Sequence, residues 1–276
     1  RDGTLSCASC HAADAAFSDP RKFSTGVRGQ TGTRNSMPLM NLAWKTSYFW
    51  DGRAPSLRAQ ALMPIQDHTE MDETLERVIN KLTAKSDYPP LFVAAFGPSD
   101  ISAEKIGLAL EQYLLTLTAH DSKFDQALRG KAALSGDEMR GFELFMTEYE
   151  PRTGQTGADC FHCHGGPLFS DHQFHNNGLG GDDPGRAKIT GATGDQGKFA
   201  SPSLRNIALT APYMHDGRFA TLEEVVEHYS SGVLRGPTLD PNLAKHPAGG
   251  LNLGTADKAA LVAFLKTLTS VESNSP

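Results

Sequence analysis

Residues 7–11 read Cys-Ala-Ser-Cys-His, and residues 160–164 read Cys-Phe-His-Cys-His. Together the two stretches contain all four cysteines of the chain, so none remains for a disulfide. Two cysteines separated by two residues and followed directly by histidine are the signature of c-type haem attachment. In that chemistry each thiol adds to a haem vinyl group and the histidine ligates the iron. The predicted haem-binding residues are Cys7, Cys10, His11, Cys160, Cys163 and His164.

A zinc site and a thioredoxin-like redox pair are the other chemistries that this cysteine spacing allows. A redox pair does not need the histidine that follows each second cysteine, and zinc would need more ligands nearby. Two matches that use every cysteine favour two covalent haems c. Because haem attachment of this type takes place outside the bacterial cytoplasm, the motifs predict a periplasmic protein.

Length and composition are those of a globular protein with long loops. The chain has 276 residues, enough for one large or two medium domains, and contains 27 Gly and 16 Pro. A formal net charge of −6 argues against nucleic acid or an anionic membrane surface as partner, and it suits a small basic electron donor better. No apolar run approaches the roughly 20 residues that cross a bilayer. The sequence begins at Arg1 instead of Met, shortly before Cys7, which predicts that N-terminal residues are missing.

Helical periodicity dominates the chain, and strand-like alternation is almost absent. Helices are predicted near residues 73–85, 102–118, 136–147, 221–230 and 255–268. The sequence therefore predicts a mainly α fold with two cytochrome c-like haem domains and long loops. We place the domain boundary within residues 123–134, which gives an N-terminal domain of residues 1–130 and a C-terminal domain of residues 131–276.

The two halves of the chain repeat each other at a constant offset of 165 residues. Residues 48–57, Tyr-Phe-Trp-Asp-Gly-Arg-Ala-Pro-Ser-Leu, match residues 213–222, Tyr-Met-His-Asp-Gly-Arg-Phe-Ala-Thr-Leu. Residues 41–43 match residues 206–208 at the same offset. Similarity at a fixed offset indicates duplicated units. We interpret each half as one haem-binding module, made of an attachment motif, a loop, an Asp-Gly-Arg turn and a helix.

Differences between the two modules predict different surroundings for the two irons. Tyr229 in the second module corresponds to Pro64 in the first. If the helix after each Asp-Gly-Arg turn presents a residue to the distal side of its haem, Tyr229 can bind iron through its phenolate. Pro64 has no ligating atom and leaves the first iron open. His228 and Met214 are rival ligands for the second iron, and we interpret Met214 as packing.

Over nearly its whole length the sequence resembles the bacterial dihaem cytochrome c peroxidases, and within them the MauG-like branch. The resemblance rests on both haem motifs and on Phe49-Trp50-Asp51-Gly52-Arg53-Ala54, Glu70-Met71, Leu204-Arg205-Asn206-Ile207 and His215-Asp216-Gly217. It implies two mainly α cytochrome c-like domains, with a calcium ion and a tryptophan between the haems. It also implies an oxidoreductase that reacts with hydrogen peroxide.

The resemblance implies roles for individual positions. These are His11 and His164 as proximal ligands, Trp50 between the haems, Gln60, Pro64 and Glu70 in the distal pocket of the N-terminal haem, and Asn35, Thr210 and the carbonyl of Pro212 around calcium. Peroxidases of the standard branch have Met where this chain has Tyr229. They also have a switchable distal His in the loop that here reads Gly26-Val27-Arg28-Gly29-Gln30. Both departures favour the MauG-like branch.

The side chains at several of these positions have suitable chemistry. A carboxylate such as Glu70 above an open iron can move a proton from one peroxide oxygen to the other, acting as acid and base. Gln60 can hold the peroxide or a water by hydrogen bonds. The guanidinium of Arg205 suits a haem propionate, because its donor fork matches a carboxylate. His175 and His215 are further candidates for contact with the second haem.

Three functions are compatible with these residues. In the first, the N-terminal haem reduces hydrogen peroxide and shares oxidising equivalents with the C-terminal haem, and a small redox protein supplies electrons. In the second, the chain transfers electrons without catalysis, which an open iron beside Glu70 disfavours. In the third, it oxidises a residue of a protein substrate, as the MauG resemblance implies.

Overall fold

The computed structural model describes residues 2–270 and is mainly helical with few strands, as predicted. Its α-helices are α1 Leu57–Gln66, α2 Leu75–Ala84, α3 Tyr88–Phe96, α4 Ala103–Thr116, α5 Lys123–Leu128, α6 Gly136–Met146, α7 Ala187–Thr190, α8 Leu222–Glu227, α9 Pro241–Ala244 and α10 Thr255–Lys266. Two small antiparallel sheets pair β1 Tyr149–Glu150 with β2 Gln155–Thr156, and β3 Phe174–His175 with β4 Phe199–Ala200. Within residues 2–270 no helix has the length and apolar character to cross a membrane.

The five predicted helices are present as α2, α4, α6, α8 and α10. α8 is shorter than expected, because its α-helical hydrogen bonding ends at Glu227 and a π-helical turn, His228–Gly232, follows. The helix expected after the first Asp-Gly-Arg turn is α1, whereas α3, α5, α7 and α9 are not predicted from the sequence. α3 begins Tyr88-Pro89-Pro90, and prolines are tolerated there because the first N–H groups of a helix have no intrahelical partner.

Each half of the chain has its own large hydrophobic cluster. Leu57 of α1 and Leu114 of α4 lie in the first cluster. In the second, α6 packs against α10, and the rings of Phe145 and Phe264 are 5.1 Å apart. Phe124 of α5 also belongs to the second cluster, although α5 lies within the region expected as the domain boundary. The limits 1–130 and 131–276 stay a prediction, and residues 1 and 271–276 lie outside the described residues.

The same local geometry occurs around both Asp-Gly-Arg turns. Phe49 and Met214 occupy matching positions, and both have a left-handed backbone, with φ of 67° and 74°. Asn41 and Asn206 also match, with φ of 58° and 60°. A β-bridge closes each turn, between Tyr48 and Ala54 in the first half and between Tyr213 and Phe219 in the second. These closed turns fix the positions of Trp50 and His215.

Candidate functional site

The first cysteine motif forms a tight turn that orients the imidazole of His11. Residues Cys7–Ser9 form a 3-10 helix, and the N–H of His11 donates a 3.0 Å hydrogen bond to the carbonyl of Cys7. The Nδ1 of His11 donates to the carbonyl of Phe17 at 2.8 Å. A histidine whose Nδ1 is bonded in this way has Nε2 available for a metal. Burial lowers the pKa of His11, which favours the neutral imidazole that binds iron.

The second motif repeats this arrangement at His164. Its N–H donates a 2.9 Å hydrogen bond to the carbonyl of Cys160, and its Nδ1 donates to the carbonyl of Phe169 at 3.1 Å. Burial lowers the pKa of this imidazole as well. The structure thus provides two neutral histidines with Nδ1 already hydrogen-bonded to a backbone carbonyl.

All four cysteines are free thiols. Cys10 lies in the wall of a first cavity with His11, and both Cys160 and Cys163 line a second cavity with His164. Cys7, the first residue of the first motif, is exposed. Free thiols next to a correctly oriented imidazole are the donor set that a covalent haem requires, so both cavities fit haem c.

The first cavity brings together the residues predicted to handle peroxide. Trp50, Gln60, Pro64 and Glu70 all line it, with His11 in the same wall. Gln60 and Pro64 come from α1, and Glu70 comes from the loop that follows α1. The sequence predicted that these four side chains lie close together, and in the structure they line the same cavity.

Glu70 is a half-buried carboxyl at the wall of the first cavity. Burial raises its pKa, and the negative charge of Asp67 raises it further. The backbone of Glu70 is held by the loop of residues 26–30, because the N–H of Val27 donates to the Glu70 carbonyl at 2.8 Å. Gly26 packs so tightly there that a Cβ atom would lie 2.0 Å from the carbonyl oxygen of Thr69. The loop of residues 26–30, which has no histidine, therefore fixes the backbone of Glu70.

Tyr229 lines the second cavity from the π-helical turn. Single π-helical turns are often found at functional sites. Burial raises the pKa of Tyr229 to about 12, so in the absence of a cation the phenol keeps its proton. The side-chain amide of Asn177 donates to the phenol oxygen at 3.4 Å, a contact that the sequence analysis missed. No sequence pattern marks Asn177, because its partner is distant along the chain.

The two rival ligands differ in their surroundings. The Nε2 of His228 is 3.0 Å from the carbonyl of Asn177, and His228 is buried away from the cavity wall. Met214 does line the second cavity, and its sulfur accepts a 3.5 Å contact from Asn177. Of the two rivals, only Met214 therefore faces the same space as Tyr229.

Trp50 and His215 line both cavities. The indole Nε1 of Trp50 donates to the carbonyl of Asn35 at 2.8 Å, and the Trp50 carbonyl accepts from the N–H of Ala200 in β4. His215 stacks on Phe199 at 3.6 Å with 11° between the rings. The positions that match in the repeat thus form the wall between the two cavities.

An ion-pair cluster beside Trp50 joins the two halves, and the sequence analysis did not identify it. Arg34 donates to Asp183 at 2.7 and 2.8 Å and to Asp51 at 2.6 Å. The guanidinium lowers the pKa of Asp183 to about 2. Asp51 follows Trp50 in the first turn, so its position was visible in the sequence. No sequence pattern identified Arg34 and Asp183, which are far apart in the chain.

Of the three residues expected around calcium, Asn35 is bonded to the other half of the chain. The N–H of Asn35 donates a 2.7 Å hydrogen bond to the carbonyl of His215, which is three residues after Pro212 in the sequence. The side-chain amide nitrogen of Asn35 donates to the carbonyls of Arg21 and Lys22 at 3.0 and 3.2 Å. The side-chain oxygen of Asn35 is therefore the amide atom that could bind a cation. Thr210 is buried, and its hydroxyl donates to a backbone carbonyl at 3.2 Å.

Of two further candidates for contact with a haem, His175 lines a cavity and Arg205 does not. Arg205 is in neither cavity wall, because its guanidinium donates to Asp125 at 2.7 and 3.0 Å. The carboxylate that Arg205 binds is thus the side chain of Asp125. His175 lines the second cavity, held by Asp240 at 2.6 Å and Asp171 at 2.8 Å. The hydrogen bond to Asp240 raises its pKa to about 11.

Comparison with known proteins identifies the family. A family model described as di-haem cytochrome c peroxidase matches residues 1–133. The methylamine utilization protein MauG of Methylorubrum extorquens is 38% identical over 273 residues, which cover 97% of this chain and 73% of that protein. The chain belongs to the di-haem cytochrome c peroxidase family.

Two further comparisons agree with this family. The cytochrome c551 peroxidase of Nitrosomonas europaea is 33% identical over 276 residues, covering 98% of this chain and 75% of that protein. The fold is similar to that of a MauG-like protein associated with microbial copper homeostasis, with a TM-score of 0.85 and 35% identity. That match covers 98% of this chain and 85% of the other. The predicted family and enzyme class are confirmed: this family member is a peroxide-reactive dihaem oxidoreductase.

Proposed function

We propose that hydrogen peroxide reacts at an open N-terminal haem of this chain, and that the oxidising equivalents are shared with a C-terminal haem ligated by His164 and Tyr229. The observation that carries the proposal is that Trp50 lines both cavities, of which one contains Gln60, Pro64 and Glu70. When bound, the two haems supply the redox chemistry that reduces hydrogen peroxide, with two electrons and two protons, to two waters.

The chain's own residues would hold these haems. Cys7 and Cys10 form thioethers with the first and Cys160 and Cys163 with the second, through the free thiols described above. His11 and His164 would bind the two irons, and their Nδ1 hydrogen bonds to backbone carbonyls leave Nε2 for that role. Tyr229 would bind the second iron as phenolate, and Asn177 contacts the Tyr229 oxygen.

Glu70 moves a proton between the two oxygens of the peroxide. Its raised pKa brings the carboxyl nearer to the pH at which it can both accept and return a proton. Gln60 orients the peroxide by hydrogen bonds from its side-chain amide. Pro64 adds no ligating atom to this wall and would therefore leave room for peroxide at the first haem.

Trp50 carries charge between the haems. An indole can lose an electron transiently, and this ring is fixed by the hydrogen bond from Nε1 to Asn35. The electrons come from a small redox protein, or from a residue of a protein substrate that is oxidised. The net negative charge of the chain suits a basic redox protein.

A calcium ion would link the two halves through oxygen atoms of Asn35, Thr210 and Pro212, with waters completing the 6–8 ligands that it prefers. The hydrogen bond between Asn35 and His215 supports this arrangement, because it holds the contributing segments together. We further propose that the two halves arose by internal duplication. The matched left-handed residues and bridges around the Asp-Gly-Arg turns support that origin.

The alternative function is non-catalytic electron transfer. The test uses protein matured in the periplasm, where we propose that the chain resides and where c-type haem is attached. Intact mass should show two haem additions that survive denaturation, and peroxide should be consumed in the presence of a reduced donor. Fewer than two haem additions would refute the haem assignment. Two haems without peroxide consumption would leave electron transfer as the function.

A further inference from the structure

The first cavity contains one cation that is neither paired nor exposed among the described residues. The cationic side chains in its wall are Arg34, Lys45, Arg53, Lys188 and Arg218. The three arginines each form an ion pair with an aspartate. Lys188 is exposed to solvent, whereas Lys45 is half-buried. Lys45 therefore differs from the other four.

The surroundings of Lys45 are unfavourable for its charge. Burial lowers the pKa of Lys45 to about 8, and no described acidic group acts in the opposite direction. His172 of the second half is near enough for its own pKa to be lowered by burial and then by the charge of Lys45, and it offers no negative charge. Buried charges in proteins are normally paired or hydrogen-bonded. A cavity wall with an unpaired ammonium fits an anionic ligand.

We infer that the ammonium group of Lys45 pairs with a propionate of the haem in the first cavity. The inference rests on the proposed function, since it requires a haem beside His11. A haem carries two propionates, which are the anionic groups that the cavity's occupant brings. Arg205, the residue expected in this role from the sequence, is instead bound to Asp125. Among the described residues, the wall of the second cavity has no lysine or arginine, so this ion pair belongs to the first haem.

The ion pair has an electronic consequence for the first haem. A positive charge beside a propionate favours the reduced iron, because reduction adds negative charge to the site. Partial burial strengthens this interaction relative to one in water. Removing the ammonium should therefore move the reduction potential of the first haem to a more negative value. The second haem should keep its potential.

Three variants of the dihaem protein test this inference. Lys45→Met removes the charge and keeps the aliphatic side chain, and Lys45→Arg keeps the charge. Lys188→Met is the matched control, because it removes an exposed cation from the same wall. The measurements are the propionate bending band of the first haem in resonance Raman spectra and the reduction potentials of both haems at pH 7. We expect a shifted band and a more negative first potential in Lys45→Met only.

An unchanged band and potential in Lys45→Met, or the same changes in Lys188→Met, would overturn the inference. If Lys45→Met fails to mature, a crystal structure of the wild-type dihaem protein decides. A propionate oxygen within hydrogen-bond distance of Nζ supports the ion pair, and a propionate bound elsewhere refutes it. None of these readouts depends on turnover, so failure of the peroxide reaction would count against the proposed function and not against the ion pair.

Discussion

The indole Nε1 of Trp50 and the backbone carbonyl of Asn35 form a 2.8 Å hydrogen bond. The N–H of the same Asn35 donates to the carbonyl of His215 in the second half at 2.7 Å. The ring between the two cavities is thus held by the segment that carries a proposed calcium ligand. The proposed charge transfer between the haems and the proposed cation binding would therefore depend on the same segment.

Replacing Trp50 should separate the two haems in function. Trp50→Phe keeps an aromatic ring but is much harder to oxidise and loses the hydrogen bond to Asn35. We expect both haems and the first reaction with peroxide to be retained, whereas oxidation of the second haem becomes slow and turnover with an external donor is mostly lost. Stopped-flow absorbance of both haems after one equivalent of peroxide measures this.

Trp44→Phe is the matched control for this experiment, because Trp44 is the other tryptophan and is 55% exposed. It should behave like the wild type. Oxidation of the second haem at the wild-type rate in Trp50→Phe would show that Trp50 only packs between the cavities and that charge takes another path.

Glu70→Gln should retain both haems and slow the reaction with peroxide by roughly 10²–10⁴-fold, the usual effect of losing an acid–base group. Protonation of Glu70 at low pH should slow the wild-type reaction. Because the pKa of Glu70 is raised, this loss of rate should begin at a higher pH than for an ordinary Glu, whose pKa is about 4.3. This fall in rate at low pH, the acid limb of the pH profile, should be absent in Glu70→Gln. Rapid-mixing rates across pH measure both effects.

Asp67→Asn provides the control in the same cavity wall. The charge of Asp67 contributes to the raised pKa of Glu70, so its removal should move the acid limb to lower pH and leave the plateau rate nearly unchanged. Wild-type rates in Glu70→Gln would remove this carboxyl from the mechanism.

Tyr229→Phe should change the ligation of the second iron. A phenolate stabilises the ferric state, so its loss should raise the potential of that haem and alter its low-spin signal. Tyr213→Phe is the control, because Tyr213 lines the same cavity but donates to the carbonyl of Ile207. If the spectrum of Tyr229→Phe is that of the wild type, Met214 becomes the candidate ligand.

Chelation of calcium should alter the spectra of both haems reversibly and weaken communication between them. Calcium should restore the spectra and magnesium should not, because magnesium demands a smaller octahedral shell. Asn35→Ala should show the chelated behaviour from the start. Haem spectra that do not respond to thorough chelation in the wild type would exclude a functional calcium site.

Local patterns explain most of what the sequence predicted. The haem motif identified His11, and comparison of the two Asp-Gly-Arg turns identified Trp50 and Tyr229. Each of these patterns spans only a short stretch of sequence. The capping box of α6 also depends on residues that are close in the sequence, because Ser135 accepts a hydrogen bond from the N–H of Glu138.

Contacts between distant residues could not be predicted in this way. Arg205 was expected to bind a propionate because a guanidinium suits any carboxylate, but α5 brings Asp125 to it from 80 positions earlier in the chain. The same limit applies to Arg34 with Asp183. Lys45 has no distinguishing sequence pattern, because what sets it apart is that no acidic side chain within residues 2–270 pairs with it, which only a three-dimensional structure displays.

An open first haem should react with peroxide without prior reduction. Electron paramagnetic resonance of the diferric protein, before and after one equivalent of hydrogen peroxide, measures whether it does. We expect a high-spin signal from the first haem and a low-spin signal from the second in the resting protein, and loss of both after peroxide. A resting first haem that is low-spin with two histidine ligands, and that reacts only after reduction, would contradict the account.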